Sequence, residues 1–136
     1  MFNGKQNNDM KLQNNLRIFI VDDDPFWAAV LQQILSNLGY SNIYTFMNGE
    51  ECLNHLHLNP VMVFLDYQMS SMDGLEVLHK IKDYFPGINV IFCTALEDIS
   101  VAIEAINWGC SEYLLKSNAN RKVLSYLLSQ QNLVIN

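Results

Sequence analysis

The chain has 136 residues, 50% of them apolar, and carries 14 acidic against 8 basic side chains for a formal charge of −6. That is enough to bury one sizeable core and too little for a second, and an acidic chain without a basic stripe is a poor partner for the phosphate backbone of DNA or RNA. No apolar run approaches the ~20 residues that span a bilayer, and the opening MFNGKQNNDMKLQNN lacks a signal peptide's apolar centre, so a cytoplasmic protein with no membrane contact is expected.

Residues 1–15 are rich in Asn, Gln and Lys and hold too few large apolar groups to repay ordering, which predicts a flexible lead-in before a folded domain over 16–131 and a tail over 132–136. The run LRIFIV at 16–21 reads as a buried strand closed by Asp22-Asp23-Asp24. Trp27, Val30, Leu31, Ile34, Leu35 and Leu38 then recur at helical spacing, with Pro25 suited to the first turn and Gly39 to the stop. A second strand is predicted over 43–46 and a weaker helix over about 48–58, with Leu53 and Leu56 inward. Pro60 introduces the strand that ends at Asp66. The next helix, 74–85, shows Leu75, Leu78, Ile81 and Phe85 on one face and stops at Pro86-Gly87; Gly74 is read as easing the turn before it. A strand follows to Thr94. Asp98 is placed to cap a helix bearing Ile99, Ala102, Ile103 and Ile106 that runs to about Gly109. A short strand at 112–115 delivers Lys116, and a last helix over 120–131 carries Val123, Leu124, Leu127 and Leu128. Five strand–helix pairs in series predict a doubly wound parallel sheet, (βα)5, in three α/β/α layers with right-handed crossovers.

Such a sheet binds its ligand beyond the carboxyl ends of the strands, where the order of strands reverses. Asp22, Asp23 and Asp66 fall there, and Thr94 and Lys116 arrive from neighbouring strands. Crowded carboxylates raise one another's pKa and call for a divalent cation, for which magnesium is the expectation; the hydroxyl and ammonium suit phosphoryl oxygens. Asp24 reads as a helix cap, and Glu97 and Asp98 as loop and cap acids. Cys52, Cys93 and Cys110 have neither disulfide nor zinc spacing and are expected to be buried thiols. His55 and His57, about 200° apart on a helix, are not expected to share a metal.

The stretches VDDDP at 21–25, FLDYQMSSMDGLEVL at 64–78, VIFCTA at 90–95 and EYLLK at 112–116 resemble the receiver domain of two-component response regulators in its stand-alone form, and the resemblance runs over about 16–130. It implies a flavodoxin-like fold in which Asp66 is the phospho-acceptor, Asp22 and Asp23 are the acidic pair, and Asp23, Asp66 and the backbone carbonyl of Gln68 hold Mg2+ with Asp22 beside them. Thr94 becomes the switch hydroxyl, Lys116 the phosphate-binding lysine, and Tyr113 the aromatic switch, with plain core as its other reading. The implied partners are a sensor histidine kinase or phosphotransfer protein and a downstream protein, or an output domain if the chain is excised from a longer regulator. A homodimer through Trp108, Tyr113 and Tyr126 is a further expectation. The domain would catalyse only its own Mg-dependent phosphorylation and dephosphorylation and turn over no independent substrate.

Three departures from the family pattern matter. Ser70 stands where proline is frequent, which should loosen the loop after Asp66. Ser117 stands where a cis proline is usual. A non-proline cis bond costs roughly 3 kcal/mol, so Lys116–Ser117 is predicted to be trans with the lysine approaching differently, or strained. Ala28 and Ala29 give the rim of the site little cover. Two competing functions are weighed against the receiver. One is a docking module of the same fold that works without phosphorylation. The other is an aspartyl phosphatase built on Asp22-x-Asp24, in which Phe26 replaces the hydroxyl residue such a motif wants. No phosphate-binding glycine loop is present.

Overall fold

The computed structural model describes residues 15–131. Within them, strands β1 (Ile18–Val21), β2 (Ile43–Phe46), β3 (Met62–Leu65), β4 (Asn89–Thr94) and β5 (Glu112–Leu115) alternate with helices α1 (Pro25–Asn37), α2 (Gly49–Asn54), α3 (Gly74–Tyr84), α4 (Ile99–Asn107) and α5 (Arg121–Gln130). All strand pairs are parallel, in the order β2-β1-β3-β4-β5. β1 and β3 lie inside this sheet with every residue buried, which is why they read as unbroken apolar runs rather than alternating ones.

The two-residue period of a strand divides the core in two. Phe19, Val21, Val63, Leu65, Val90 and Phe92 pack with Cys52 of α2, Leu78 and Ile81 of α3 and Ala105 of α4; Ile18, Ile20, Met62, Phe64, Ile91 and Cys93 pack with Leu31 and Leu35 of α1 and Leu124 and Leu128 of α5. Helices therefore cover both faces of the sheet, giving the flavodoxin-like arrangement.

Each helix begins on a short polar side chain that accepts backbone N–H bonds: Asp24, Asn48, Asp73, Asp98 and Asn120 cap α1 to α5 in turn. Asp24 and Asp98 are thus the caps expected of them. Gly39 and Gly109, both at φ 101°, supply the left-handed residue just after α1 and α4.

One element departs from expectation. Residues 48–58 do not form a single helix; α2 ends at Asn54 and a separate 3-10 turn spans Leu56–Leu58. The imidazole Nδ1 of His55 donates to the Glu51 carbonyl at 2.7 Å, taking the acceptor that a continuing helix reserves for the His55 amide. That amide bonds to Cys52 instead, at 3.0 Å, and Asn59 at φ 57° leads the chain into Pro60. The same break brings His55 and His57 to one side, with ring centres 6.0 Å apart, so their predicted 200° separation does not hold.

Cys52, Cys93 and Cys110 are free and buried. Burial pushes the first two thiols up to about 12 and the third to about 11, so they are unreactive packing groups. Among the described residues no helix is long and apolar enough to cross a membrane.

Candidate functional site

Parallel pairing sets the carboxyl ends of β1, β3, β4 and β5 side by side, and the residue after each strand lies at one edge. Asp22 and Asp66 are anchored there through their amides, Asp22 to the Phe46 carbonyl at 3.0 Å and Asp66 to the Val21 carbonyl at 3.0 Å. Asp22 also accepts the Asp24 amide on Oδ1 at 2.9 Å, which ties its carboxylate to the start of α1.

Carboxylate oxygens of Asp22, Asp23 and Asp66 lie within 4.8 Å of one another. Asp22 and Asp66 are only 3% and 5% exposed, whereas Asp23 is open to solvent. Into this group reaches the Lys116 ammonium, 2.7 Å from Asp22 Oδ2 and 3.6 Å from Asp66 Oδ1. No described peptide bond is cis, so Lys116–Ser117 is trans, the first of the two expected alternatives. The lysine still enters the pocket from a 3-10 turn at Lys116–Asn118, and it approaches Asp22 more closely than Asp66.

Electrostatics follow from one ammonium facing two buried carboxylates. Burial, the Asp22 charge and, less strongly, the Asp23 charge push the Asp66 carboxyl up to about 7 against the pull of Lys116. Burial also raises Asp22, outweighing its bond to Lys116. Lys116 itself is held above its ordinary value because the bond to Asp22 and the charges of Asp66 and Asp22 outweigh its burial. The surplus negative charge and all-oxygen donor set fit a hard divalent cation such as magnesium. Gln68 lines a surface cleft with Asp23, Met69, Ser70 and Asp73, which places it on the same cleft as the exposed member of the acid group. Ala28 and Ala29 line another cleft with Asp22 and Met47, at the rim where the sequence puts them.

Gly74 has a role other than easing a turn. A Cβ there would lie 2.3 Å from the Asp66 carbonyl oxygen and 2.9 Å from the Tyr67 Cα, and the Gly74 amide donates to Tyr67 at 2.8 Å. Its missing side chain lets the start of α3 press onto the backbone carrying Asp66. A glycine of close approach looks the same in sequence as a glycine of conformational freedom, so the two roles separate only in the fold.

Thr94, 1% exposed, closes β4. Its hydroxyl oxygen accepts the Leu96 amide at 3.2 Å, while the Tyr113 hydroxyl donates to the Leu96 carbonyl at 2.7 Å. Both predicted switch residues are therefore fastened to the backbone of one residue, Leu96, Thr94 at its amide and Tyr113 at its carbonyl. The Tyr113 ring is half-buried and nearly parallel to Phe92, 12° between planes and 6.3 Å between centres. Beyond Leu96, α4 turns an unusually apolar face outward, with Ile99, Ile103 and Ile106 exposed next to Trp108. Phe26 is 77% exposed.

A five-stranded doubly wound parallel sheet with buried carboxylates and a lysine at its switch point has the architecture of the receiver class that the sequence resembles. A family model described as the response regulator receiver domain matches residues 18–128, and the chain belongs to that family. Receiver domains are signalling domains, and accepting a phosphoryl group is their general function. The chain is 34% identical over 104 residues to the transcriptional regulatory protein ZraR of Escherichia coli K12, covering 76% of this chain and 23% of that protein, so it spans about a quarter of ZraR. It is 30% identical over 112 residues to the chemotaxis protein CheY of Thermotoga maritima, covering 82% of this chain and 93% of that one. Among solved structures, the Borrelia burgdorferi CheX–CheY–BeF3–Mg complex aligns with TM-score 0.77 and 29% identity over 85% of this chain and 88% of that chain. The BeF3-activated DrrB receiver domain aligns with TM-score 0.76 and 27% identity over 86% and 97%.

Proposed function

We propose that residues 16–131 form a cytoplasmic receiver whose Asp66 takes a phosphoryl group from a phosphohistidine on a sensor kinase or phosphotransfer protein. The observation carrying this reading is the Lys116 ammonium bridging Asp22 and Asp66 with Asp23 in reach of both. An Asp66 carboxylate oxygen attacks phosphorus as the P–N bond to histidine breaks, and the bonding electrons stay on the imidazole nitrogen. Lys116 leans from Asp22 towards the arriving phosphoryl oxygens and offsets their charge. Asp22, Asp23, Asp66 and the Gln68 carbonyl would hold Mg2+, which supplies further positive charge beside the same oxygens. In a second, separate step water attacks phosphorus, the P–O bond to Asp66 breaks, and inorganic phosphate leaves as the Asp66 carboxylate is restored, so no independent substrate is turned over.

A phosphoryl oxygen is a stronger acceptor for the Thr94 hydroxyl than any neutral group, and drawing that hydroxyl inward pulls on the Leu96 amide that bonds to it. Tyr113 holds the carbonyl of the same residue, so it moves in response and reshapes the surface around α4 and β5. A downstream protein, an output domain or a second copy meeting Trp108, Tyr113 and Tyr126 would read that change.

The test is intact mass after incubation with magnesium and a small phosphodonor. One phosphoryl adduct, absent from Asp66→Asn and from a chelator-treated sample, is expected. No adduct in the wild type with magnesium bound would overturn the proposal in favour of docking without phosphorylation.

A further inference from the structure

We infer that Trp27 is a positioning residue for Lys116, holding its ammonium over the acidic pocket and so setting how fast Asp66 takes a phosphoryl group; the rate claim rests on the function proposed above. The Lys116 Nζ lies 5.6 Å from the centre of the Trp27 ring, inside the ~6 Å within which an indole face attracts a cation. The ammonium is thus held on one side by the Asp22 carboxylate at 2.7 Å and on another by the indole.

The placement follows from α1. Trp27, Leu31 and Leu35 are spaced by four residues and share a face, of which Leu31 and Leu35 are fully buried against the sheet. Trp27 continues that stripe past the strand ends, half-buried against the core shared by α1 and α5, and there it meets a cation. The backbone of Trp27 is tied to the loop that carries the acids: Asp24 Oδ1 accepts the amides of Phe26 and Trp27 at 3.0 and 3.4 Å, and the Asp24 amide in turn donates to Asp22. Lysine brings a flexible four-carbon stem and a strongly hydrated head, so its occupancy of the pocket depends on walls that displace water without removing charge. An indole does both. Leucine at this position keeps the apolar wall and loses the attraction for the cation, which separates positioning from simple core filling.

Two measurements decide it. In the first, phosphorylation by a small phosphodonor with magnesium is timed for the wild type, Trp27→Phe and Trp27→Leu, with urea midpoints checked for each. Trp27→Leu should slow the reaction about 3- to 10-fold and Trp27→Phe markedly less. Equal rates for both variants, or no loss in either, would overturn the positioning role. In the second, Trp108→Phe leaves Trp27 as the remaining one of the chain's 2 tryptophans, and its emission is compared with and without Lys116→Met. A changed intensity or wavelength supports the contact, and unchanged emission overturns it whether or not the protein can be phosphorylated. A wild type that takes no phosphoryl group overturns the functional reading and the rate claim with it, and leaves the contact to the emission result.

Discussion

Without a divalent cation, the receiver should become less stable as pH rises through neutrality. The Asp66 carboxyl has an ordinary value of 3.8 and is pushed up to about 7 in the fold, by burial first and then by Asp22. A folded state that keeps its proton longer than the unfolded chain does is favoured at low pH, and that advantage fades as pH climbs from the unfolded value towards the folded one. At ~1.4 kcal/mol per pH unit of separation, ionised Asp66 costs the metal-free fold at most ~4 kcal/mol, of which ~2–3 kcal/mol is lost between about pH 5 and pH 7.5. The raised Asp22 carboxyl acts in the same direction, while Lys116, raised from 10.5, stays charged throughout and adds no slope. Asp98, held below 3.8 by Ser100 and Val101, stays ionised at both pH values. Urea unfolding in chelator should therefore show a midpoint ~1–2 M higher at the lower pH. Asp66→Asn should flatten the dependence and gain stability near pH 7.5, and magnesium should restore the wild type there. A wild-type midpoint that is equal or higher at pH 7.5 in chelator, with no gain in Asp66→Asn, would refute the reasoning.

Other predictions concern separate parts of the molecule. Gly74→Ala forces a methyl to within 2.3 Å of the Asp66 carbonyl oxygen, so it should destabilise by ~1–3 kcal/mol and weaken magnesium binding, read by urea midpoint and by titration calorimetry. Leu78→Ala removes a fully buried side chain from the α3 face and should lose ~2–5 kcal/mol in the same unfolding assay with the pocket chemistry retained. Asp24→Ala removes the cap of α1 and should lose ~1 kcal/mol. Ile103→Ser sits on the exposed face of α4 and should change stability by less than ~0.5 kcal/mol, while any phosphorylation-driven dimer weakens in sedimentation.

The order of elements was legible because the sheet is parallel and covered on both faces. β1 and β3 announce themselves as apolar runs, and the polar residue closing each run is the one the fold delivers to the pocket. Helix starts were equally readable at Asp24 and Asp98, whose short carboxylates suit orphan amides. Three features were not. The break after α2 depends on an imidazole competing for the Glu51 carbonyl, a choice between two acceptors that hydrophobic spacing does not record. Gly74 serves close approach between two backbones, and its partner is the peptide after β3. Trp27 reads as one more core residue on an apolar stripe, because the lysine it faces arrives from the far end of the chain.

The edge position of β5 has a consequence for synthesis. A chain emerging from the ribosome exposes Asp22 and Asp66 well before Lys116, and β5 joins the sheet through β4 as its outermost described strand. The cation that balances the two buried acids is thus the last piece to arrive. Until the final strand docks, the two buried carboxylates lack the ammonium that sits 2.7 Å from one and 3.6 Å from the other in the finished fold.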